Sequence, residues 1–284
     1  MKTCRNLSQT ILTHPIEAPR SGIVTPQSKI FTMGSCFAYE IYCHLRDKGY
    51  NVLTRQLSDI EPELLWYNTY TMRYEFEKVV GKFTQEKSDY WSTHRGFQDP
   101  YRRFVFGSTV SELFRKTREL DRIIHEGITS ADIVVLTLGL TEVFFQNTNH
   151  NAICATPGYG SGGGHDTYVR FTEYGENFDN VDRIIHLIKD INPKAKVIIT
   201  VSPVPLGSTY SNSDHAVANT ESKSILRAVA GAIDRKHSDM CYYFHSYELA
   251  NSYDRSKVFI DDARHVNRSF VAYIMHEFEK QFVV

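Results

Sequence analysis

Short apolar runs alternate with longer helical patterns along this chain, and the alternation limits the possible folds more than any other feature. The apolar runs have the length of strands and begin at Lys29, Ile133, Lys196 and Cys241. Helical periodicities occupy residues 36–49, 110–126, 178–191, 219–237 and 269–284. Short, nearly all-apolar strands that alternate with helices are typical of a parallel sheet covered on both faces. We therefore predict a doubly wound α/β domain, whose ligands bind beyond the carboxyl ends of the strands.

The length of 284 residues suits a single domain that spans residues 1–284. Two segments fit the alternation poorly. Residues 54–109 are aromatic and polar without a clean period, and residues 143–177 are rich in Asn, Gly and Tyr. We expect both to be insertions that form a lid over the site, and the alternative is variable surface decoration.

Charge and apolar content exclude several classes of partner. Lys and Arg number 32 against 33 Asp and Glu, so we expect no nucleic-acid partner. The apolar runs are far shorter than the roughly 20 residues of a spanning helix, so we expect no membrane insertion. The N-terminus lacks a signal-peptide pattern, and the five cysteines include no C-x-x-C pair. These features favour a cytoplasmic protein with free thiols, and no feature of the sequence indicates an oligomeric state.

The motif Gly34-Ser35-Cys36 lies where the first predicted strand turns into a helix. Unpaired N–H groups and the helix dipole stabilise negative charge there, so we expect a lowered thiol pKa and donors for an oxyanion. Cys36 is therefore a candidate nucleophile, and the alternative is a small buried hydrophobe. We expect Ser35 to cap the helix, and it is also a candidate for binding substrate.

A second candidate group lies near the other end of the chain. Asp262 precedes His265 by three residues, in a polar turn just ahead of the last predicted helix. A carboxylate at that spacing can orient an imidazole so that it acts as a general base. Asp261 is a rival for the orienting role. Since most histidines have surface or core roles, this spacing is not specific by itself.

The end of the central predicted strand offers a third group, Gly139, Thr141 and Glu142, which would meet a substrate oxygen at the sheet edge. Glu142 is alternatively an exposed carboxylate or a partner of Arg264. Ser202 follows the next strand, where two prolines stiffen the loop.

The glycine-rich loop at residues 157–165 neither follows a predicted strand nor opens a helix, so it does not predict dinucleotide binding. His165 and Asp166 lack further ligands at metal spacing, and we expect no metal.

The motif Gly34-Ser35-Cys36-Phe37-Ala38 resembles the signature of the GSCFA family. Further blocks carry the resemblance from about residue 22 onward: "YNTYTMRYEF", "TLGLTEVFF", "TVSPVPL", "SKSILRAVAG" and "DDARHVN". The family is distantly similar to SGNH or GDSL-type hydrolases. That resemblance implies a three-layer, flavodoxin-like fold and acyl or ester chemistry, often on carbohydrate.

The resemblance also implies roles for individual residues. Cys36 takes the position of the SGNH nucleophile, and Asp262 with His265 takes that of the terminal Asp-x-x-His. Where an SGNH enzyme has an Asn that donates to the oxyanion, this chain has Thr141. Asn68 is our candidate for a second donor, with a turn-forming Asn as the alternative.

Two functions of different classes follow. The first is an acyl esterase or O-acyltransferase in which His265 deprotonates Cys36, acting on an acylated carbohydrate or a similar small ester. It needs no cofactor, although acyl-CoA is a candidate donor. The second is a non-catalytic glycan- or protein-binding module with a degenerate site. Several aromatic residues are candidates either for stacking on sugar rings or for packing: Trp66, Tyr67, Tyr70, Trp91 and Phe97.

Overall fold

A computed structural model of the chain describes residues 16, 18–61, 64–157 and 166–284. The glycines of the predicted loop (Gly158, Gly160 and Gly163), together with His165 and Cys4, lie outside the described residues. The described strands are β1 (Lys29–Gly34), β2 (Asn51–Val52), β3 (Trp91–Thr93), β4 (Gly96–Gln98), β5 (Phe106–Gly107), β6 (Ile133–Leu138), β7 (Glu142–Gln146), β8 (Ala152–Ile153), β9 (Thr167–Phe171), β10 (Lys196–Val201) and β11 (Cys241–Phe244). The described helices are α1 (Cys36–Asp47), α2 (Arg55–Ile60), α3 (Thr69–Val79), α4 (Val110–Ser130), α5 (Tyr174–Ile191), α6 (His215–Lys236), α7 (Ser246–Ser252), α8 (Arg255–Val258) and α9 (Arg268–Phe282).

Five of these strands form one parallel sheet, in the order β2-β1-β6-β10-β11. Counted within the sheet, this is the order 2-1-3-4-5 of flavodoxin-like folds. The predicted doubly wound, flavodoxin-like α/β class is therefore confirmed. The order reverses between β1 and β6, where Ile30 pairs with Ile133, so the crevice for a ligand lies beyond the carboxyl ends of these two strands.

Helices cover both faces of the sheet because successive strand residues point to opposite sides. Phe31 and Met33 belong to the core cluster beneath α4, α5 and α6. Ile30 faces the opposite cluster, which α1 and α9 cover. The buried stripe predicted for α1 consists of Phe37, Ile41 and Leu45, all completely buried. None of the helices in the described part of the chain has the length and apolarity needed to cross a bilayer.

The two segments that fit the alternation poorly each contain an antiparallel sheet of short strands. Residues 54–109 hold α2, α3 and the sheet β3-β4-β5, whereas residues 143–177 contribute to the sheet β8-β7-β9. Helix α3 joins α5 through Thr69, whose hydroxyl donates to Asn177 Oδ1 at 2.8 Å. This contact joins the first segment to a helix that covers the main sheet.

A buried ion cluster fixes the loop between β4 and β5. Arg102 is completely buried, and its guanidinium donates to both oxygens of Glu75 at 2.8 and 2.7 Å. It also contacts Asp121 and lies 3.8 Å from the buried carboxylate of Asp99. One cation thus holds α3, α4 and this loop together, and the loop carries Arg103 towards the site described below.

The turn from β1 into α1 requires Gly34. Its φ of +142° is one that side chains with a Cβ rarely adopt, and a Cβ there would lie 2.2 Å from the carbonyl oxygen of Thr137. We expect Gly34→Ala to lower the free energy of unfolding by about 1–3 kcal/mol, measured by urea denaturation. Gly175→Ala is the matched control, because a Cβ at Gly175 meets no atom within 4 Å. Equal losses in the two variants would contradict this reading of the turn.

Candidate active site

A cavity of about 240 Å³ lies at the crevice beyond β1 and β6. Residues that follow β1, β6 and β10 form its floor, and both poorly patterned segments contribute to its walls. The lining residues with groups able to react or to bind charge are Cys36, Lys223, Arg103, Arg264 and Glu142. The position agrees with the general rule for ligands of doubly wound sheets.

Cys36 is the first residue of α1, and its partly exposed side chain lines the cavity. Burial raises the pKa of its thiol, and this effect outweighs the favourable charges of Lys223 and Arg264 and the N–H of Phe37, which donates to the sulfur. The expectation of a lowered thiol pKa is therefore wrong, because desolvation exceeds the contribution of the helix terminus. A partner that accepts the proton is needed for reactivity near neutral pH.

Ser35 lies beside Cys36 at the backbone N-cap position of α1, but its side chain forms no capping hydrogen bond. The expectation of a side-chain cap is therefore wrong. Ser35 lines the cavity and is only 2% exposed, and its buried hydroxyl has no hydrogen-bond partner among the described residues. A buried polar group without a partner costs free energy, so this hydroxyl is a candidate donor to a bound ligand.

Lys223 is a buried lysine that sequence reasoning missed, and it faces the same cavity. Its Nζ donates to the carbonyl oxygen of Gly139 at 2.7 Å. Burial lowers the pKa of this amine to about 8, although the nearby Cys36 thiolate acts in the opposite direction. Among the favourable charges that act on the Cys36 thiol, Lys223 contributes most. A thiol of raised pKa and an amine of lowered pKa therefore share one cavity.

The sequence does carry a signal for Lys223. It falls in the stripe of α6 that packs on the sheet, together with Leu226, Ala230 and Ile233. A lysine in an apolar stripe is unusual, because a buried ammonium costs free energy unless it has a partner. The preceding residue, Ser222, accepts a hydrogen bond from the Thr141 amide at 3.0 Å. Two consecutive residues of α6 thus bind the loop after β6.

Asp262 and His265 form a hydrogen-bonded pair, in which His265 Nδ1 contacts Asp262 Oδ2. The carboxylate also accepts the backbone N–H of His265 at 2.9 Å, and these bonds lower the pKa of Asp262 to about 2. The imidazole side chain is 56% exposed. Of the described residues in this turn, Arg264 lines the cavity and His265 does not. The rival Asp261 is exposed.

The residues after β6 are brought to the crevice but serve different purposes. Gly139 lines the cavity, where a Cβ would lie 2.5 Å from the carbonyl oxygen of Tyr67. Thr141 is buried outside the described lining of this cavity. The Glu142 carboxylate accepts hydrogen bonds from the Thr209 hydroxyl at 2.5 Å and from the Tyr210 amide at 2.8 Å. Glu142 is therefore neither a free loop carboxylate nor bonded to Arg264; it anchors the 207–211 loop.

Asn68 and Ser202 line the cavity with side chains that already have protein partners. Asn68 caps α3, because its Oδ1 accepts from the Thr71 amide at 2.9 Å, and its Nδ2 donates to Ile153 at 2.9 Å. Ser202 Oγ accepts from the Val204 amide at 3.3 Å. Asn68 is thus a helix cap rather than the turn-forming residue given as the alternative, and one amide hydrogen of Asn68 is left for a ligand.

Most of the aromatic residues proposed for sugar stacking have other contacts. Trp66 donates to Glu75, Trp91 donates to Gln146, and Tyr70 donates to Glu176. Phe97 packs against the main core cluster. Of these five residues, only Tyr67 is in the described lining of the cavity.

One group of side chains in the described residues has the geometry of a metal site, and it lies away from the cavity. Asp182, His186 and His237 place ligand atoms within 4.8 Å of one another. The Asp182 carboxylate already accepts hydrogen bonds from Lys236 Nζ at 2.9 Å and from His237 Nε2 at 2.7 Å. The ammonium of Lys236 competes with a cation for this carboxylate, so we assign no metal to it.

Comparisons with known proteins identify a family. One similar structure is a provisionally named platelet activating factor from Streptococcus pneumonia, at 10% identity and a TM-score of 0.44, covering 96% of this chain and 87% of the other. Another is a family 3 carbohydrate esterase from Clostridium thermocellum, at 11% identity and a TM-score of 0.36, covering 91% and 95%. No curated protein matches the chain significantly. The GSCFA family profile matches residues 29–278, and the chain belongs to the GSCFA family.

Proposed function

We propose that this protein is an acyl esterase or O-acyltransferase that uses Cys36 as its nucleophile on an acylated carbohydrate or a similar small ester. The observation that carries the proposal is that Cys36 and the buried Lys223 line one cavity and that each shifts the pKa of the other. Perturbed titratable groups that share a cleft are typical of catalytic sites. The cavity volume of about 240 Å³ favours a small acyl group.

In the proposed first step the neutral amine of Lys223 takes the thiol proton as the sulfur attacks the acyl carbonyl. Backbone N–H groups at the start of α1 and the Ser35 hydroxyl are the donors for the oxyanion. The tetrahedral intermediate then expels the alcohol, which receives the proton from Lys223. In the second step the thioester is attacked by water for hydrolysis or by a sugar hydroxyl for transfer, and the thiol is restored.

The Asp262–His265 pair is the rival base, as the family resemblance implies. Its carboxylate orients Nδ1, so Nε2 is left to accept a proton. The exposed ring would have to turn towards the cavity to reach the sulfur. Lys223 already lines the cavity and its charge acts on the Cys36 thiol, and we therefore assign it the proton transfer.

The test is mass spectrometry after incubation with p-nitrophenyl acetate. We expect a single acetyl group on Cys36 in the wild type, and none at that position in Cys36→Ala. Cys154→Ala is the matched control, because the Cys154 thiol lines the same cavity but donates to the Leu65 carbonyl at 3.3 Å. An adduct in Cys36→Ala equal to that in the wild type would contradict the assignment. A wild type that is neither acylated nor alkylated at Cys36 would favour the binding module instead.

A further inference from the structure

The charges around the cavity are unequal. Lys223, Arg103 and Arg264 line it, and the carboxylate that lines it belongs to Glu142. That carboxylate already accepts hydrogen bonds from the Thr209 hydroxyl and the Tyr210 amide, and its single charge is outnumbered by the cations. A small cavity with low-dielectric walls concentrates the field of such cations. The site is therefore electropositive towards whatever enters it.

Arg264 has donors that are left for a ligand. Its Nε donates to the Pro205 carbonyl at 3.4 Å. Its terminal nitrogens make no hydrogen bond to a residue that the structure describes. The guanidinium carbon lies 3.1 Å from where a Cβ of Gly207 would be. The Arg264 side chain therefore packs closely against Gly207, where a larger residue would crowd it. The two terminal nitrogens of a guanidinium form a planar fork that fits the oxygens of a carboxylate or phosphate.

Arg103 supports the same side of the cavity. Its guanidinium lies over the rings of Tyr67 and Phe104, at 4.8 and 4.7 Å from their centroids. Phe104 has a φ of +65°, which is uncommon for a bulky residue. Strained backbone of this kind persists where the surrounding structure holds it, and it is often functional. Here the buried neighbour Arg102 holds the loop.

We propose that the substrate of this same proposed enzyme carries a carboxylate or phosphate group, which Arg264 binds while its ester carbonyl lies at Cys36; this substrate class rests on the proposed function. The planar fork of Arg264 sets the position of the anion, and Arg103 adds charge. A neutral ester of the same shape would leave the guanidinium without an acceptor. The anionic group thus selects the substrate, and the Cys36 thiol reacts with it.

The test measures binding without acyl transfer, so its failure is separate from failure of the proposed chemistry. Isothermal titration of Cys36→Ala compares monomethyl succinate with methyl succinamate, a neutral ligand of the same shape. We expect monomethyl succinate to bind about tenfold tighter or more, and we expect Arg264→Gln in the same background to abolish the difference. Arg268→Gln is the matched control, because Arg268 is exposed and lies outside the described lining of the cavity.

A third ligand, methyl phosphate, distinguishes the two sources of negative charge. Tighter binding of methyl phosphate than of monomethyl succinate supports the anion site and identifies phosphate as its group. The reverse order supports the site and identifies carboxylate. Equal binding of the charged and neutral esters, no binding of any anion, or a preference that survives Arg264→Gln would overturn the proposal.

Discussion

Replacing Lys223 with methionine is expected to slow acylation of Cys36 by p-nitrophenyl acetate by about 10²–10⁴-fold, the usual contribution of a positioned general base. Methionine keeps much of the length of the side chain and removes the amine. In the wild type the rate should rise with pH through about 8, because only the neutral amine accepts a proton and burial lowers its pKa to about 8. In Lys223→Met this rise should move to higher pH, where the thiol ionises by itself.

Stopped-flow release of p-nitrophenolate between pH 6 and 10 measures both effects. The other charges that act on the thiol are Arg264, which favours the thiolate, and Glu40, which disfavours it. Neither changes in the variant. Lys194→Met is the matched control, because Lys194 is exposed on the loop before β10. A large loss in His265→Gln with little loss in Lys223→Met would assign the proton transfer to the imidazole instead.

Loss of activity in Lys223→Met should not reflect loss of the fold. Moving the pKa from its ordinary 10.5 to about 8 corresponds to about 3 kcal/mol of unfavourable burial at neutral pH, at about 1.4 kcal/mol per unit. The unfolded chain binds the proton more tightly, so stability of the wild type rises with pH between these two values. Below pH 8, Lys223→Met should therefore unfold at the same urea concentration or a higher one.

Replacing Arg102 with leucine is expected to lower the free energy of unfolding by about 3–5 kcal/mol at pH 8. The change leaves Glu75 and Asp99 buried without their main cation. In the wild type, burial acts to raise the pKa of Glu75, but the charges of Arg102 and Lys78 lower it overall. That carboxylate therefore contributes stability above its unfolded pKa, and the contribution is lost as the pH falls through the folded value.

Without Arg102 the pKa of the Glu75 carboxyl is expected to rise instead of fall, because an unpaired buried carboxylate is more stable when it is protonated. Its contribution to stability then decreases as the pH rises. The difference in unfolding free energy between wild type and variant should thus be smaller at pH 5 than at pH 8, measured by urea denaturation at both. Arg122→Leu is the matched control: this arginine on α4 also bonds two carboxylates, Glu119 and Glu126, but its side chain is 50% exposed. An equal loss in both variants, or a loss independent of pH, would contradict the role of the cluster.

The main sheet could be predicted because its strands are short, apolar and bounded by helical patterns. The predicted starts at Lys29, Ile133, Lys196 and Cys241 are the observed first residues of β1, β6, β10 and β11. Strand β2 has two residues, Asn51 and Val52, and so has no pattern to detect. The strands of the two poorly patterned segments are two to five residues long and pair locally, so their structure depends on turns and packing rather than on periodicity.

The cavity lining could be predicted best where a residue follows a strand of the sheet. Cys36 and Gly139 do so, and both line the cavity. Lys223 and Arg103 reach it from the middle of a helix and from a loop held by a buried ion cluster, and such placements arise from tertiary packing. Adjacent residues of one turn also differ in whether they reach the cavity: Arg264 lines it, while the His265 ring is largely exposed. Sequence position alone does not distinguish the two.

The walls and the floor of the cavity have separate origins in the chain. Cys36 and Gly139 belong to the ends of the parallel strands, whereas Tyr67, Arg103 and Phe144 come from the two segments added to that framework. Exchanging an added segment for a foreign one would therefore change the walls of the cavity while Cys36 and Gly139 keep their positions at the ends of the strands. This division makes the scaffold suitable for directed evolution, with mutations confined to the added segments as the first library.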